Sequence, residues 1–414
     1  MASYLQRFEQ TPVAERWALV RRWMFEESLP FFKELRRHRP VLATPEATLV
    51  ARFADCREIL LRHDAFSVAL YRPKQGDYWM AQDDTPIHWR EKSIMRAVLD
   101  REQMPEIRAF IAGNAACILK EAGGEIEAVN GLTRAVPIAL VQEWFGFADS
   151  DPKELFEWSH WNQYDAFHNQ PFDAVAVPDP ASIVAKREAG NERMRDYLVR
   201  LVQRRAGELK AGQDNRDMVS RLLRLSASGA LRFDVPRVVL NLGGLLIGAV
   251  ETTSQAAIHS LAQLLGRPDA LDRARAAAAQ DDPSAADGHV YEALRFHPIA
   301  PYMFRVCEKP TTLAGGTDHA TKVQPGTIVL PLVQSAMFDE TAFEEPERFD
   351  PARPFGNSFH LGLGLHECLG RPIARLMIPE IVRQCLRLPG LEAAGPIDYA
   401  GGPFPESYRL RWQA

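Results

Sequence analysis

The longest helix-periodic apolar segment of the 414-residue chain runs from Asp234 to Leu265. Asp234 is a suitable N-cap for this segment, and Gly266 followed by Pro268 supplies a stop. A helix of roughly thirty residues with so much apolar surface needs other elements to cover it. The sequence therefore predicts one long helix through the middle of the molecule.

Polar residues interrupt this segment where Glu251, Thr252 and Thr253 follow Gly248 and Ala249. Small residues leave room beside a helix, and a buried acid is costly unless a partner compensates it. From these residues alone, two interpretations stay open. Either Gly248 and Ala249 mark a close helix-packing contact and Glu251 is a paired core acid, or the group borders a site where chemistry occurs.

A second constraint is the stretch 359–371, in which Cys368 lies among three glycines, Gly362, Gly364 and Gly370. Glycine can adopt φ > 0 and lets another body approach the main chain. A helix pattern follows directly, and unpaired N–H groups at a helix N-terminus favour an anion. Cys368 is therefore a candidate thiolate that binds a metal or attacks an electrophile. A small buried hydrophobe is the alternative for such a cysteine.

Composition disfavours several classes of protein. The 46% hydrophobic and 25% charged residues are typical of a soluble globular protein. Forty-nine basic against 54 acidic residues give a formal net charge of -5, so no overall basic field attracts nucleic acid or anionic lipid. Five cysteines without a Cys-x-x-Cys pair argue against a disulfide framework. We expect a cytoplasmic protein without a signal peptide or membrane anchor.

The stretch around Cys368 resembles the haem-ligand loop of the cytochromes P-450. In that family the pattern is Phe-x-x-Gly-x-His/Arg-x-Cys-x-Gly, which Gly364, His366, Cys368 and Gly370 match. Leu361 replaces the usual phenylalanine, which removes an aromatic ring near the sulfur but leaves the ligand in place. The resemblance implies that Cys368 is the axial thiolate of haem b, where its electron donation favours O–O cleavage.

The centre of the long helix resembles the same family's pattern Ala/Gly-Gly-x-Asp/Glu-Thr-Thr/Ser from Gly248 to Thr253, with Ala249 where glycine is usual. Cleavage of dioxygen consumes protons, so a hydroxyl that holds water and an acid that resupplies protons are needed. The resemblance assigns these catalytic roles to Thr252 and Glu251. The added methyl group of Ala249 would narrow the oxygen pocket.

Several cations match the family's contacts to the haem propionates. His88 has its counterpart in the family, whereas Lys92 replaces an arginine, which keeps the charge but loses the bidentate geometry, with Arg90 as a substitute. Without the resemblance, His88 and Lys92 equally suit a solvated helix face. The expected cofactor-binding residues are His88, Lys92, Arg305, His366, Cys368 and Gly370.

An acid and an arginine three residues apart, Glu292 and Arg295, match the family's structural ion pair. A further arginine normally completes that pair, and here it is Arg348 or, less favoured, Arg353. Without the resemblance, such a pair often decorates a surface. We expect these residues to serve folding rather than catalysis.

The resemblance also implies a substrate pocket, lined by Leu245, Gly248, Ala249, Ile299 and Met303. The aromatic and polar segment from Trp158 to Val177 is either a mobile lid over that pocket or a surface crossover, and not a packed core element. Poor periodicity from Phe66 to Gln82 predicts a loop.

The matches follow the family's order from about Asp83 to Arg375. They imply a mainly α-helical protein with a small β region and the cytochrome P-450 fold. We expect one haem domain over residues 1–414, with the minor β region at about 40–55 and 311–332.

The implied function is that of a haem-thiolate monooxygenase that hydroxylates or otherwise oxidises a small apolar organic molecule with O2. Electrons from NAD(P)H would arrive through a ferredoxin or flavodoxin and its reductase, attracted by cations at Arg371, Arg375 and Arg383. Neither nucleic acid nor a membrane is an expected partner, and a monomer is expected.

Other functions stay open or are disfavoured. A hydrogen-peroxide-driven peroxygenase and a haem sensor or carrier without turnover are the open alternatives. A zinc site is disfavoured because too few metal ligands lie near Cys368. A dinucleotide-binding loop is disfavoured because the acidic residue is not in a suitable place, and a cysteine hydrolase is disfavoured because the sequence gives no evidence of a base paired with the thiol.

Overall fold

A computed structural model describes residues 2–99, 101–213, 215–229 and 233–413. Its helices are α1 (Tyr4–Gln10), α2 (Arg16–Glu26), α3 (Ser28–His38), α4 (Phe53–Leu61), α5 (Arg72–Gln75), α6 (Pro86–Val98), α7 (Met104–Ala122), α8 (Ala135–Leu140), α9 (Pro152–His168), α10 (Pro180–Lys210), α11 (Met218–Ala227), α12 (Val235–Ala249), α13 (Glu251–Leu265), α14 (Pro268–Ala278), α15 (Asp287–Phe296), α16 (Val333–Ala336) and α17 (Arg371–Leu386).

The strands are short, and they are β1 (Val41–Ala43), β2 (Thr48–Val50), β3 (Phe66–Ser67), β4 (Glu125–Glu127), β5 (Arg305–Cys307), β6 (Thr311–Leu313), β7 (Thr321–Val323), β8 (Ile328–Pro331), β9 (Glu392–Ala393) and β10 (Arg409–Arg411). This confirms a mainly helical fold with a small β content.

The first of two compact units comprises the chain up to Trp89, Gln170–Pro178 and Arg295–Cys368. It holds a five-stranded sheet in the order β1-β2-β8-β5-β3 and a separate β6–β7 hairpin. Strand β8 is an apolar run, which suits its place in the middle of the sheet. One buried cluster contains Val329 of β8 and Phe359, so the sheet anchors the start of the cysteine loop.

The second unit comprises Arg90–Asn169, Asp179–Leu294 and the chain from Leu369 onward. Helix α9 packs on α10 and α12, and α17 packs on α7 and α13. A small sheet in the order β4-β10-β9 belongs to the same unit. Helices α12 and α13 thus lie among other helices, as their apolar sequence predicts.

The long apolar segment is helical from Val235 to Leu265, as predicted, but the regular helix is interrupted at Val250, between α12 and α13. A break leaves the carbonyl groups of the last turn of α12 without helical donors. Two side chains of α9 replace them, since Ser159 Oγ and Gln163 Nε2 donate to Ile247 O at 3.0 and 2.8 Å. The predicted N-cap is confirmed, because the Asp234 carboxylate accepts from the main-chain N–H of α12.

By length and composition alone, Val235–Leu265 could cross a membrane, a property that it shares with buried core helices.

Two other segments differ from the sequence-based expectation. Trp158 to Val177 was expected to lie outside the packed core, but α9 continues to His168 and the Trp158 side chain is fully buried. Its polar residues misled the prediction because they hydrogen-bond to other buried groups. The predicted loop from Phe66 to Gln82 contains β3, α5 and two 3-10 turns, with Trp79 buried.

Candidate functional site

Main-chain hydrogen bonds fix the cysteine loop, which we define as residues 359–368. Cys368 N donates to Leu361 O at 2.8 Å, and Glu367 N donates to Gly364 O at 3.1 Å. The Cys368 side chain is exposed. Helix α17 begins three residues later, at Arg371. The thiol is therefore presented on a defined loop just before a helix.

Glycine is required at two positions of this loop. Gly362 and Gly364 have φ of +73° and +71°, a region that other residues rarely adopt. A Cβ at Gly364 would lie 3.0 Å from Leu60 O, so the loop passes directly over α4. Gly370 differs, because it has φ of -74° as the N-cap of α17. The left-handed conformation that glycine permits is thus used before the cysteine and not after it.

The other four cysteines have different surroundings. Cys56, Cys307 and Cys385 are buried, whereas Cys117 is exposed. Burial raises the pKa of the Cys56 thiol, and it raises the pKa of Cys385 to about 12. Buried thiols of this kind are chemically inert.

Arg305 is a buried cation of the first unit, with 5% of its surface exposed. Its Nη1 donates to Phe304 O at 2.7 Å, and no carboxylate of the described residues lies within ion-pair distance of it. Burial lowers the pKa of Arg305, while Tyr71 and Asp83 act in the opposite direction. A buried cation without an ion-pair partner costs stability. The Arg305 guanidinium therefore fits the anionic group of a ligand.

Two histidines of the first unit, His88 and His366, stand edge to face with ring centroids 5.2 Å apart. Nδ1 of His88 lies 3.0 Å from Trp79 O and 3.1 Å from Gln82 O. Carbonyl oxygens only accept hydrogen bonds, which assigns a proton to this nitrogen.

His366 Nε2 lies 3.3 Å from Asp83 Oδ1. Burial lowers the pKa of His366 to about 4, and the Arg305 cation acts in the same direction. The imidazole is thus neutral at pH 7, and its contact with Asp83 is a hydrogen bond rather than an ion pair. Arg305, whose guanidinium stays protonated in proteins, is therefore a charged candidate for a propionate, and His366 is a neutral one.

Lys92 belongs to the second unit and is 3% exposed. It lies in α6, four residues after His88, which is fully buried. The solvated cationic face that the sequence left open is therefore wrong for both. Arg90, the substitute for Lys92, lies 3.4 Å from Glu91, which also binds Arg237 of α12 at 2.6 Å.

The acid predicted on the long helix, Glu251, is buried in the second unit with partners on both oxygens. Its Oε1 accepts from Arg134 Nη2 at 2.7 Å, and its Oε2 lies 3.5 Å from His160 Nδ1. Arg134 also donates to Glu406 at 2.9 Å. Burial on its own would raise the pKa of Glu251, but His160 and Arg134 oppose it and hold that pKa below the usual value. Glu251 is consequently a carboxylate at neutral pH.

Thr252, the predicted hydroxyl, follows the helix break. Its Oγ1 donates to Gly248 O at 2.8 Å, so its oxygen keeps the capacity to accept a hydrogen bond from water. A Cβ added at Gly248 would meet no neighbouring heavy atom within 4 Å. The alternative of a close helix-packing contact at Gly248 is therefore wrong. Such a contact occurs instead at Gly243, where an added Cβ would lie 3.3 Å from Met194.

The predicted pocket residues fall in different units. Leu245, Gly248 and Ala249 lie on α12 in the second unit, where Leu245 is buried and Gly248 is exposed. Ile299 and Met303 lie in the first unit, and Met303 packs against the buried cluster that contains Phe359.

The predicted structural arginines contact each other through main chain. Arg295 donates from Nη1 to Met337 O at 3.1 Å and from Nη2 to Arg348 O at 3.2 Å. The Arg348 guanidinium is exposed and binds Glu345 and Asp350 at 2.6 and 3.0 Å. Arg348 thus contacts Arg295 through its main-chain oxygen, and its part in the ion pair stays a prediction. Glu292 is buried in the second unit.

Four residues that contact the acid or the helix break escaped sequence reasoning. They are Arg134, Ser159, His160 and Gln163. Three of them lie in the segment interpreted as a lid or crossover, and the fourth carries no local pattern. Polar side chains recurring at 159, 160 and 163 on one helix side were the available signal.

A haem is compatible with the donor set of the first unit. Its iron requires a thiolate ligand, and Cys368 presents an exposed thiol. Its propionates require cations, and Arg305 is a buried cation with no acid of the described chain bound to it.

The sequence matches the family model described as "Cytochrome P450" over residues 119–388. It is 27% identical over 403 residues to cyclomarin C epoxidase CymV of Salinispora arenicola, covering 92% of this chain and 95% of the relative. It is also 27% identical over 318 residues to cytochrome P450 monooxygenase PikC of Streptomyces venezuelae, covering 75% of this chain and 69% of that relative.

Solved structures of the same kind share the fold. Ligand-free CYP164A2 of Mycobacterium smegmatis superimposes with a TM-score of 0.78 at 21% identity, covering 97% of this chain and 100% of that one. CalO2 also gives a TM-score of 0.78 at 21% identity, with 94% and 96% covered. At this level of identity the likeness establishes the fold.

Proposed function

The chain belongs to the cytochrome P450 family of haem-thiolate oxidoreductases, and on that premise we propose that it is a monooxygenase that oxidises a small apolar organic molecule. The observation that carries the proposal is the exposed Cys368 thiol on its fixed loop. The same unit contains Arg305, which is buried and has no ion pair with a carboxylate of the described residues. A bound haem with a cysteinate ligand supplies dioxygen binding and O–O cleavage.

In this proposal the chain's residues hold the cofactor by charge and by a metal bond. Cys368 would bind the iron through its thiolate sulfur, and Arg305 would form a charged hydrogen bond with a propionate. His88, His366 and Lys92 are further partners of the propionate groups. Gly370 allows the chain to turn from the ligand into α17.

In the same proposal, residues of the second unit deliver the protons that the reaction consumes. Thr252 holds a water through the lone pairs that its bond to Gly248 O leaves unused. Glu251 passes protons to that water and is then reprotonated through its other contacts. The break at Val250 separates these two residues from the regular hydrogen bonding of α12.

The substrate class is an apolar organic molecule that contacts Leu245, Gly248, Ala249, Ile299 and Met303. Relatives are named erythromycin C-12 hydroxylase in Saccharopolyspora erythraea and steroid C26-monooxygenase in Mycobacterium tuberculosis, beside the epoxidase above. These names support hydroxylation or epoxidation of such a molecule as the reaction.

We further propose that electrons reach the protein from NAD(P)H through a ferredoxin or flavodoxin and its reductase. Arg371 and Arg375 at the start of α17 are the cations that would attract an acidic partner. Arg383, which the sequence places with these two cations, is instead buried and forms an ion pair with Glu380 at 3.2 Å. The protein is proposed to act as a monomer in the cytoplasm, with residues 1–414 forming one haem domain.

The test is a spectrum of the reduced, carbon-monoxide-bound protein, followed by turnover assays with a panel of apolar substrates. The thiolate signature with product formation dependent on NAD(P)H, ferredoxin and reductase supports the proposal. Product formed only with hydrogen peroxide would replace it with a peroxygenase, and substrate binding without product under either condition would replace it with a sensor or carrier.

A further inference from the structure

The two carboxylate oxygens of Glu251 have unequal partners. Oε1 is held by a 2.7 Å hydrogen bond from Arg134, whereas Oε2 faces His160 Nδ1 at 3.5 Å. The second distance is too long for a hydrogen bond. Neither Oε2 nor His160 Nδ1 hydrogen-bonds to any other group of the described chain. Two buried polar atoms therefore face each other across a gap that a small side-chain rotation closes.

Arg134 cannot deliver protons, because its guanidinium stays protonated in proteins. It is also immobilised, since Nη1 donates to Asn130 at 2.8 Å and to Glu406 at 2.9 Å, while Nη2 donates to Pro405 O at 3.2 Å. Its side chain is 3% exposed. Arg134 is thus a positioning residue that fixes one oxygen of Glu251 and leaves the other able to react.

His160 has the opposite properties. Imidazole gains and loses protons near neutral pH, and the His160 side chain is 10% exposed against 1% for Glu251. Aromatic rings surround it, with centroids of Phe156 and Phe404 both 5.1 Å away. Such rings exclude most water from the imidazole. The imidazole therefore lies between bulk water and the buried carboxylate.

Charge in the cluster also favours this arrangement. Glu251 and Glu406 are acidic and Arg134 is basic, so the cluster carries one net negative charge while His160 is neutral. A proton on His160 brings the net charge to zero. The titratable groups facing His160 and Glu251 are Arg134 before α8, Tyr164 on α9, and Glu406 near the C-terminus through its bond to Arg134.

We propose that His160 is a proton-relay residue that reprotonates Glu251. The imidazolium N–H bond at Nδ1 breaks as an O–H bond forms at Glu251 Oε2, and the neutral imidazole then takes a proton from water or a buffer acid. No electrons are transferred in this step. The inference deepens the proposed function, because it depends on Glu251 as the acid that supplies protons.

The first experiment measures protonation rather than turnover. The holoenzyme, with histidine labelled by carbon-13 and the haem in its diamagnetic reduced carbon-monoxide form, is titrated by NMR. The His160 signal is identified by its loss in His160→Gln or, if that variant does not fold, in His160→Phe. A relay needs both protonation states of the ring, so the His160 signal should move between the positions of the neutral and the charged imidazole, and its pH course should differ in Glu251→Gln, which lacks the neighbouring charge. A His160 signal that behaves identically in both proteins overturns the relay.

The second experiment separates the relay from a packing role. His160→Gln should lower kcat by about tenfold with KM unchanged, and it should enlarge the solvent deuterium isotope effect. His168→Gln is the matched control, because His168 lies on the same helix and has its ring centroid 5.1 Å from Phe404, as His160 does. This control should behave as the unmodified protein.

The two proposals fail differently. Normal turnover in Glu251→Gln overturns the proton role of Glu251 and with it the relay. Impaired turnover in Glu251→Gln with normal turnover in His160→Gln overturns the relay alone.

Discussion

Two buried charges, Arg305 in the first unit and Glu251 in the second, have different surroundings. Arg305 donates to a main-chain carbonyl and has no acid of the described chain within ion-pair distance, whereas Glu251 has Arg134 on one oxygen and His160 beside the other. The Glu251 carboxylate is thus compensated within the chain, whereas the Arg305 guanidinium is not, which suits its proposed contact with a haem propionate.

This difference has an energetic meaning. A buried charge that loses its partner is strongly destabilising, whereas one that never had a partner already costs stability in the ligand-free protein. The contrast therefore separates residues that stabilise the fold from residues that stabilise a complex.

The largest effect is expected at Cys368. In Cys368→Ala the thiolate signature of the reduced, carbon-monoxide-bound protein should disappear and turnover should fall to background, because a bound haem iron would have no thiolate ligand. Cys117→Ser, which replaces the other exposed thiol, is the control and should leave both unchanged. A thiolate signature that survives in Cys368→Ala would mean that Cys368 is not the iron ligand, so the first unit would no longer be the proposed haem site.

Removing Arg134 should destabilise the fold by about 3–5 kcal/mol, because Glu251 remains buried without its guanidinium. Chemical denaturation of Arg134→Met at pH 7 measures this. The conservative Arg134→Lys should lose less. A loss below about 1 kcal/mol for the Met variant would mean that the second unit does not depend on compensation of this charge.

The same variant should weaken a pH dependence. In the unmodified protein the pKa of Glu251 is lowered by folding, so its contribution is present above the unfolded-state value and is lost as pH falls through the folded value. Arg134→Met removes one of the two groups that oppose burial, while His160 remains, so the pKa of Glu251 should rise and less stability should be lost on acidification. Denaturation midpoints across the acidic range measure this difference, and an equal loss in both proteins would contradict it.

Arg305→Met should weaken haem binding and leave the stability of the haem-free protein nearly unchanged, whereas Arg134→Met should lower stability. Haem affinity should fall by about tenfold, or 1.4 kcal/mol, because a propionate loses its charged partner. Stability of the haem-free protein should stay within about 1 kcal/mol, since removal of an uncompensated charge offsets the lost hydrogen bond to Phe304 O. Haem transfer kinetics and denaturation of both forms measure these quantities. Arg305→Lys should retain most of the affinity, and destabilisation as large as that of Arg134→Met would contradict the contrast.

The smallest effect is expected at the helix break. Ser159→Ala removes one of the two donors to Ile247 O and should cost about 1 kcal/mol of unfolding free energy. Gln163→Ala should cost a similar amount, and the double variant should cost more than the sum because the carbonyl then lacks both donors. Strict additivity would show that the carbonyl finds another donor.

The features that sequence predicted correctly are local. The N-cap at Asp234 and the helix holding His88 each follow from residues within a few positions of one another. The family membership and the helical class follow from several such short motifs that occur in order along the chain. Such patterns are readable because backbone conformation and short-range hydrogen bonding depend on neighbouring residues. The functional assignments of Cys368, Thr252 and Glu251 stay predictions until the variants are measured.

The features that sequence missed depend on contacts between distant residues. Arg134 is 117 positions from Glu251, and Gln163 is 84 positions from Ile247. No proline marks the break at Val250, so the segment reads as one helix. The polar residues of α9 read as exposed because their buried partners are themselves invisible in a linear sequence.

The burial of the cysteines has a practical consequence. Cys56, Cys307 and Cys385 are shielded from solvent. A Cys117→Ser protein therefore offers a thiol-alkylating reagent a single accessible thiol, at the sulfur atom to which the haem iron would bind. Mass spectrometry of the alkylated sample then counts loaded and unloaded molecules directly, without reference to any absorption band.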